Sequence, residues 1–242
     1  MLKKNYIKQI AILSLLIITF SGCREEKKEQ LKASESTEQN GAKSQNLAVT
    51  KIDSTEFPNS IKYEGFIKNA VRWTDNAGDN IVITTETGIY RNQKLAHEFE
   101  DSSDAELYAY HFIISDNEAK QTWRVKDFIA DCPVDIIAAF VKNTFKITDL
   151  NKNGIAEIWL MYKTVCHGDV SPCDMKIIMY EGNQKYAMRG RNKVEFGIDE
   201  NGKRSFEGGE FTFDANFKNA PKVFQDFAKD LWNKNLVENW DN

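Results

Sequence analysis

The stretch DLNKNGIAEIW, Asp149 to Trp159, sets side-chain oxygens at alternate positions. Asp149, Asn151 and Asn153 stand two residues apart, Gly154 follows at once, and Glu157 closes the set. A hard divalent cation takes six to eight oxygen ligands, and loops that hold it need a sharp turn at their sixth position. Here the turn falls on Gly154, Ile155 would offer its backbone carbonyl, and Glu157 a carboxylate. If the set does chemistry, it is as a structural calcium site. Only two carboxylates would face the ion, so its affinity is expected near 10⁻⁴–10⁻³ M, as in extracellular modules (about that range). The loop is not an EF-hand, because Leu160 stands where a bidentate Glu is required. The same residues also read as a metal-free turn. Asn153-Gly154 is a strong hairpin signal, since both residue types accept positive φ cheaply. The stretch DNAGDN (75–80) is a similar case, with Asp75, Asp79 and Asn80 around Gly78, and reads as a loop.

Catalytic patterns are sparse. There is no nucleophile elbow, no His-Glu-x-x-His helix and no phosphate-cradling glycine loop. Of the three histidines, His97 sits in a charged segment and His111 inside an aromatic strand, where a core or cross-strand role is expected. His167, in CHGDVSPC, has Asp169 nearby and is the one residue that suggests acid–base work. Asp131 and Asp135 are a carboxylate pair of the kind glycosidases use, in a chain where chance pairs abound. Trp73 is a candidate for stacking on sugar rings if its loop is exposed.

The chain opens MLKKNYIKQIAILSLLIITFSGC. Three lysines precede an apolar run too short to span a hydrocarbon core, which needs about 20 residues. Residues 1–22 read as an export signal. The ending FSGC resembles a bacterial lipobox, which implies acylation of Cys23 and anchoring in a membrane. Residues 23–48 are charged and poor in apolar residues, so they read as a disordered tether. The start CREEKKE resembles the surface-export signals of Bacteroidota lipoproteins. The expected location is therefore the outer membrane, facing the cell surface.

An oxidising compartment makes a disulfide the default among Cys132, Cys166 and Cys173. The bridge is either Cys132–Cys166, which we favour, or Cys166–Cys173. The spacing around Cys166-His167 fits no common zinc pattern. The chain carries 36 acidic against 32 basic residues, net −4, and three of those lysines belong to the export signal. An acidic, well-mixed surface argues against nucleic acid as a partner.

Residues 49–242 read as a single β-rich domain. Strands are expected at 63–75, 80–93, 107–115, 119–131, 140–150, 155–165, 175–181, 185–190 and 204–215, from alternation and β-branched or aromatic content. Gly182-Asn183 marks a two-residue hairpin. From Ala220 the period becomes helical, with Val223, Phe224, Phe227, Leu231 and Leu236 on one stripe and Pro221 in the first turn. The expected fold is mainly β: an antiparallel meander, curled into an open barrel or split into two layers, with one C-terminal amphipathic helix.

Over its nine residues the loop from Asp149 to Glu157 resembles the calcium loops of FG-GAP-type β repeats. Over a longer span, NAVRWTDNAGDNIVITTETG, DFIADCPVDIIAAF, ITDLNKNGIAEIWLMYKTVCHGDVSP and MKIIMYEGNQKYAMRG resemble a flavobacterial family of surface polysaccharide biosynthesis proteins. The resemblance covers about residues 63–195, and AEIWLMYKTVCHGDVSP is its most specific piece. It implies a part in making or displaying lipopolysaccharide or capsule, with surface polysaccharide or its assembly machinery as partner. It carries no catalytic residues onto this chain. A non-catalytic accessory or binding role is expected. The rivals are an enzyme acting on surface glycans and a purely structural lipoprotein.

Overall fold

A computed structural model describes residues 47–92, 98, 100–198 and 200–237. The export signal, Cys23, most of the tether and His97 lie outside the described residues. The described elements all belong to one compact unit, Lys43–Asn242.

The fold splits into two layers and does not close into a barrel. One sheet is a five-stranded antiparallel meander of β1 (Thr50–Lys51), β2 (Phe66–Asp75), β3 (Gly78–Tyr90), β4 (Ser103–Ser115) and β5 (Glu118–Cys132). The second holds β6 (Asp135–Phe140), β8 (Glu157–His167), β9 (Asp174–Glu181), β10 (Gln184–Arg191) and β13 (Phe211–Phe213), with β7 (Lys146–Thr148) also paired to β8. Between β10 and β13 the chain leaves to form a two-stranded ribbon, β11 (Lys193–Ile198) and β12 (Arg204–Gly208). A single turn, α1 (Ala215–Lys218), and the helix α2 (Lys222–Lys234) finish the fold.

Strand period places the core. In β4, Leu107 and Ala109 point inward between the sheets, while Tyr108, Tyr110 and Phe112 point outward under residues 52–61. The inter-sheet core joins Val71, Trp123 and Val125 to Ile136, Leu160 and Ile178. Strand β8 is covered on both faces. Ile158 and Leu160 enter the inter-sheet core, and Trp159 and Met161 meet the helical layer. That double burial explains its continuous apolar run.

Several expectations shift. Residues 140–150 hold the end of β6, an irregular connection and the three-residue β7. Strand β6 went unread because Pro133 and Asp135 break up its apolar pattern. Residues 204–215 split into β12 and β13 at Gly208-Gly209, both at positive φ. Pro221 is the N-cap of α2, not part of its first turn. The buried stripe of that helix is Phe224, Ala228, Leu231 and Trp232, and Val223 is exposed.

Candidate functional site

The turn expected at Asn153-Gly154 is an eight-residue loop. Strand β7 ends opposite the start of β8, with Thr148 paired to Glu157. Positive φ falls on Lys152 and Gly154, not on Asn153 and Gly154, so this is not a two-residue hairpin. The oxygens of the candidate set are put to work inside the loop. Gly154 N donates to Asp149 Oδ2 at 3.2 Å, Asn153 N to Asn151 Oδ1 at 3.1 Å, and Ile155 N to Asn153 Oδ1 at 2.8 Å. Glu157 is fully buried. Its carboxylate accepts from the Thr148 hydroxyl at 2.6 Å and from Leu150 N at 2.9 Å. Burial pushes the Glu157 carboxyl above the usual carboxylate range, and those hydrogen bonds oppose the push.

A third carboxylate joins them. Asn151 and Asn153 donate their amide nitrogens to Glu181 Oε1 at 2.6 and 2.7 Å, and Glu181 stands directly across β9 from Glu157. Like charges in directly opposed register destabilise a sheet. None of Asp149, Glu157 and Glu181 has a basic partner among the described residues. Asp149 Oδ1 is buried and has no hydrogen-bond partner. No group of three His, Cys, Asp or Glu side chains is arranged to hold a metal among the described residues. Glu181 was missed because it lies far along the chain. The Gly182-Asn183 turn sets Glu181 opposite Gln184 of β10, and its place opposite Glu157 comes from the separate pairing of β8 with β9.

The two loops singled out separately meet. Asn76 N donates to Gly154 O at 2.8 Å, and Asn76 Nδ2 to Asn153 O at 3.2 Å. Asp75 is the hub. Its carboxylate accepts from Trp73 Nε1 at 2.9 Å, Ala77 N at 2.8 Å, Asn80 Nδ2 at 3.0 Å and Ala156 N at 3.0 Å. The last bond joins one sheet to the other. Behind the hub, Trp73, His111, Trp123 and Tyr180 stack in a row across the core, with centroids 5.8, 5.3 and 4.1 Å apart. Trp73 is therefore core and 3% exposed, not a sugar platform. His111 is held between Thr122 Oγ1 at 2.6 Å and Asn80 Oδ1 at 3.0 Å. Burial lowers its pKa to about 4.

The disulfide is Cys132–Cys166, which ties the end of β5 to β8 across the two sheets. Cys173 is a buried thiol outside it. Next to the bridge, His167 Nδ1 lies 3.9 Å from Asp169 Oδ1 and 3.3 Å from Ser171 Oγ. Ser171 donates its hydroxyl to Asp169 at 2.5 Å, and that bond holds the Asp169 carboxyl below its usual range. Serine and aspartate thus approach the same imidazole nitrogen, whereas a relay needs them on opposite nitrogens. Asp131, next to last in β5, is in a left-handed conformation, and Asp135 opens β6.

A cleft of about 740 Å³ opens between the β1–β2 edge of the first sheet and the connection from β6 to β7. No sequence pattern pointed to it, since its walls come from segments about 70 residues or more apart. Comparison of the chain with protein-family models, curated proteins and solved structures finds no match.

Proposed function

We propose that this chain is a lipid-anchored envelope protein that takes part in the production or display of surface polysaccharide, as a non-catalytic accessory or binding protein. The observation that carries the reading is the stretch AEIWLMYKTVCHGDVSP, the most specific part of the family resemblance. It forms β8, which is covered on both faces and carries Cys166 of the disulfide, and the loop after it. A cross-sheet disulfide agrees with export to an oxidising compartment. The misaligned His167, Asp169 and Ser171 favour binding over acyl-transfer chemistry. The test is deletion of the gene and its return as the native chain or as Cys23→Ala, with surface polysaccharide resolved on a gel. The ladder is expected to change on deletion and to recover only with the anchored form. An unchanged ladder removes the reading.

We also propose a structural calcium ion on the loop, held by Asp149, Asn151, Asn153, the Ile155 carbonyl and Glu157. The support is the buried, partnerless Asp149 Oδ1 together with three carboxylates that have no basic partner. An ion there would tie the β7–β8 loop to the β8–β9 edge. Millimolar calcium is expected to raise the thermal midpoint, chelator to lower it, and Asp149→Ala to abolish the difference. A native midpoint indifferent to calcium sinks the proposal.

A further inference from the structure

We infer that the cleft between the two sheet edges binds an anionic amphiphile, with the hydrocarbon on its floor and a phosphate or carboxylate head on its rim.

The cleft exists because neither edge is closed there. Strand β1 has two residues, and the chain between β6 and β7 is irregular, with Asn143 at positive φ. Its floor is apolar and continuous with the inter-sheet core. Val71 belongs both to that core and to the cleft wall, and Phe140, Phe145 and Ile147 pack against the same cluster while lining the cleft. A hydrocarbon chain laid there extends a core that already exists, which is the site a non-directional apolar ligand prefers.

The rim is cationic. Lys51, Lys68, Lys142 and Lys146 line the cleft, and no acidic residue does. Lys68 is paired with Glu86 at 3.0 Å. Lys51, Lys142 and Lys146 are exposed and have no ion pair among the described residues. This concentration of positive charge belongs to a chain of net charge −4, so it is a local feature and not a reflection of composition. Lysine ammonium groups bind phosphate and carboxylate as point charges on flexible stems. Charge alone would suit any anion and the floor alone any apolar chain. The two together select a molecule that has both.

The test is calorimetric titration of the unit Lys43–Asn242, which holds every described element and all three hydrophobic clusters. The probe is dodecyl phosphate below its micelle concentration. The expected result is saturable one-to-one binding that weakens at least tenfold in the combined variant Lys51→Gln, Lys142→Gln, Lys146→Gln. The same three positions changed to Arg are expected to keep it. Inorganic phosphate and dodecyl maltoside are expected to bind at least tenfold more weakly than dodecyl phosphate. Absent binding, or binding untouched by the Gln variant, overturns the inference. Equal binding of inorganic phosphate reduces the site to an anion site, and equal binding of the maltoside reduces it to an apolar groove; each overturns it. Competition by a peptide of residues 24–46 overturns it in favour of the chain's own N-terminal segment as the occupant.

Discussion

At the scale of single residues, buried polar groups tie the two sheets together. Asp75 accepts four hydrogen bonds, one of them from the opposite sheet. Removing it leaves two donors of buried residues, Trp73 Nε1 and Ala156 N, without an acceptor, at about 1–3 kcal/mol for each such group. Asp75→Ala is expected to lower unfolding free energy by several kcal/mol (~3 by that scale), read from urea curves. His111 gives a pH signature. Its folded pKa is lowered to about 4 from 6.5, so the unfolded chain binds more protons between those values. Stability should then fall as pH drops from 6.5 to 4, by on the order of 3 kcal/mol, and stay flat in this term above 6.5. Urea midpoints at pH 7 and pH 4.5 check the sign, and His111→Gln should flatten the difference. A core or cross-strand role for His111 followed from its place among aromatics in a strand. The partners Asn80 and Thr122 did not, because they depend on register.

At the scale of elements, the docking of two loops rests on one glycine. Gly154 has φ of +80°, and a Cβ there would come within 2.0 Å of Asn76 Nδ2. Gly154→Ala should therefore cost about 1–2 kcal/mol of left-handed backbone strain and also part the loops. Loss of thermal stability, with faster amide exchange at Asn76 and Ala156, would report it; an unchanged exchange pattern would show that the loops do not depend on each other. The disulfide is the second element-level tie. Reduction should destabilise the fold by about 3–4 kcal/mol for a closed loop of this length, and thermal melts with and without reductant measure it. Most strands could be read from the chain because β-branched and aromatic residues concentrate in β2 to β5 and β8 to β10, alternating where one face is open and running on continuously in β8. The failures differ in cause. Strand β6 pairs with β8, which does not adjoin it in the chain, whereas β11 and β12 pair locally as a ribbon on which Phe196, Ile198 and Phe206 stay exposed. The Asp149–Glu157 loop was found from spacing alone. Its partners Glu181 and Asp75 were not, because spacing says nothing of what crosses from another strand.

At the scale of the whole molecule, the fold is a stack: a crossing N-terminal segment, two antiparallel sheets and a helix. Trp159 shows how the layers are joined. Its ring meets Phe217, Phe224 and Phe227 on the helical side, and its Nε1 donates to Thr148 Oγ1, which in turn donates to Glu157. The candidate calcium loop is thereby coupled to the packing of α2. Trp159→Phe removes that bond while keeping an apolar ring. It should lower the midpoint modestly and, if the loop holds calcium, shrink the calcium-induced rise.

The bond from Cys132 to Cys166 has one more consequence, a mechanical one. In a protein held at one end, load enters through the edge strand β1 and can unzip β2 to β5 one hairpin at a time. The covalent link halts that peeling where the first sheet ends, and the loop it closes, with a sequence separation of 34, cannot lengthen under force. Stretched between its ends, the oxidised unit should pay out roughly 120 Å less chain than the reduced one, from a reach of about 3.3–3.6 Å per residue. While the bond is intact, residues 133–165, which hold β6, β7 and most of β8, are the part of the molecule that tension cannot extend.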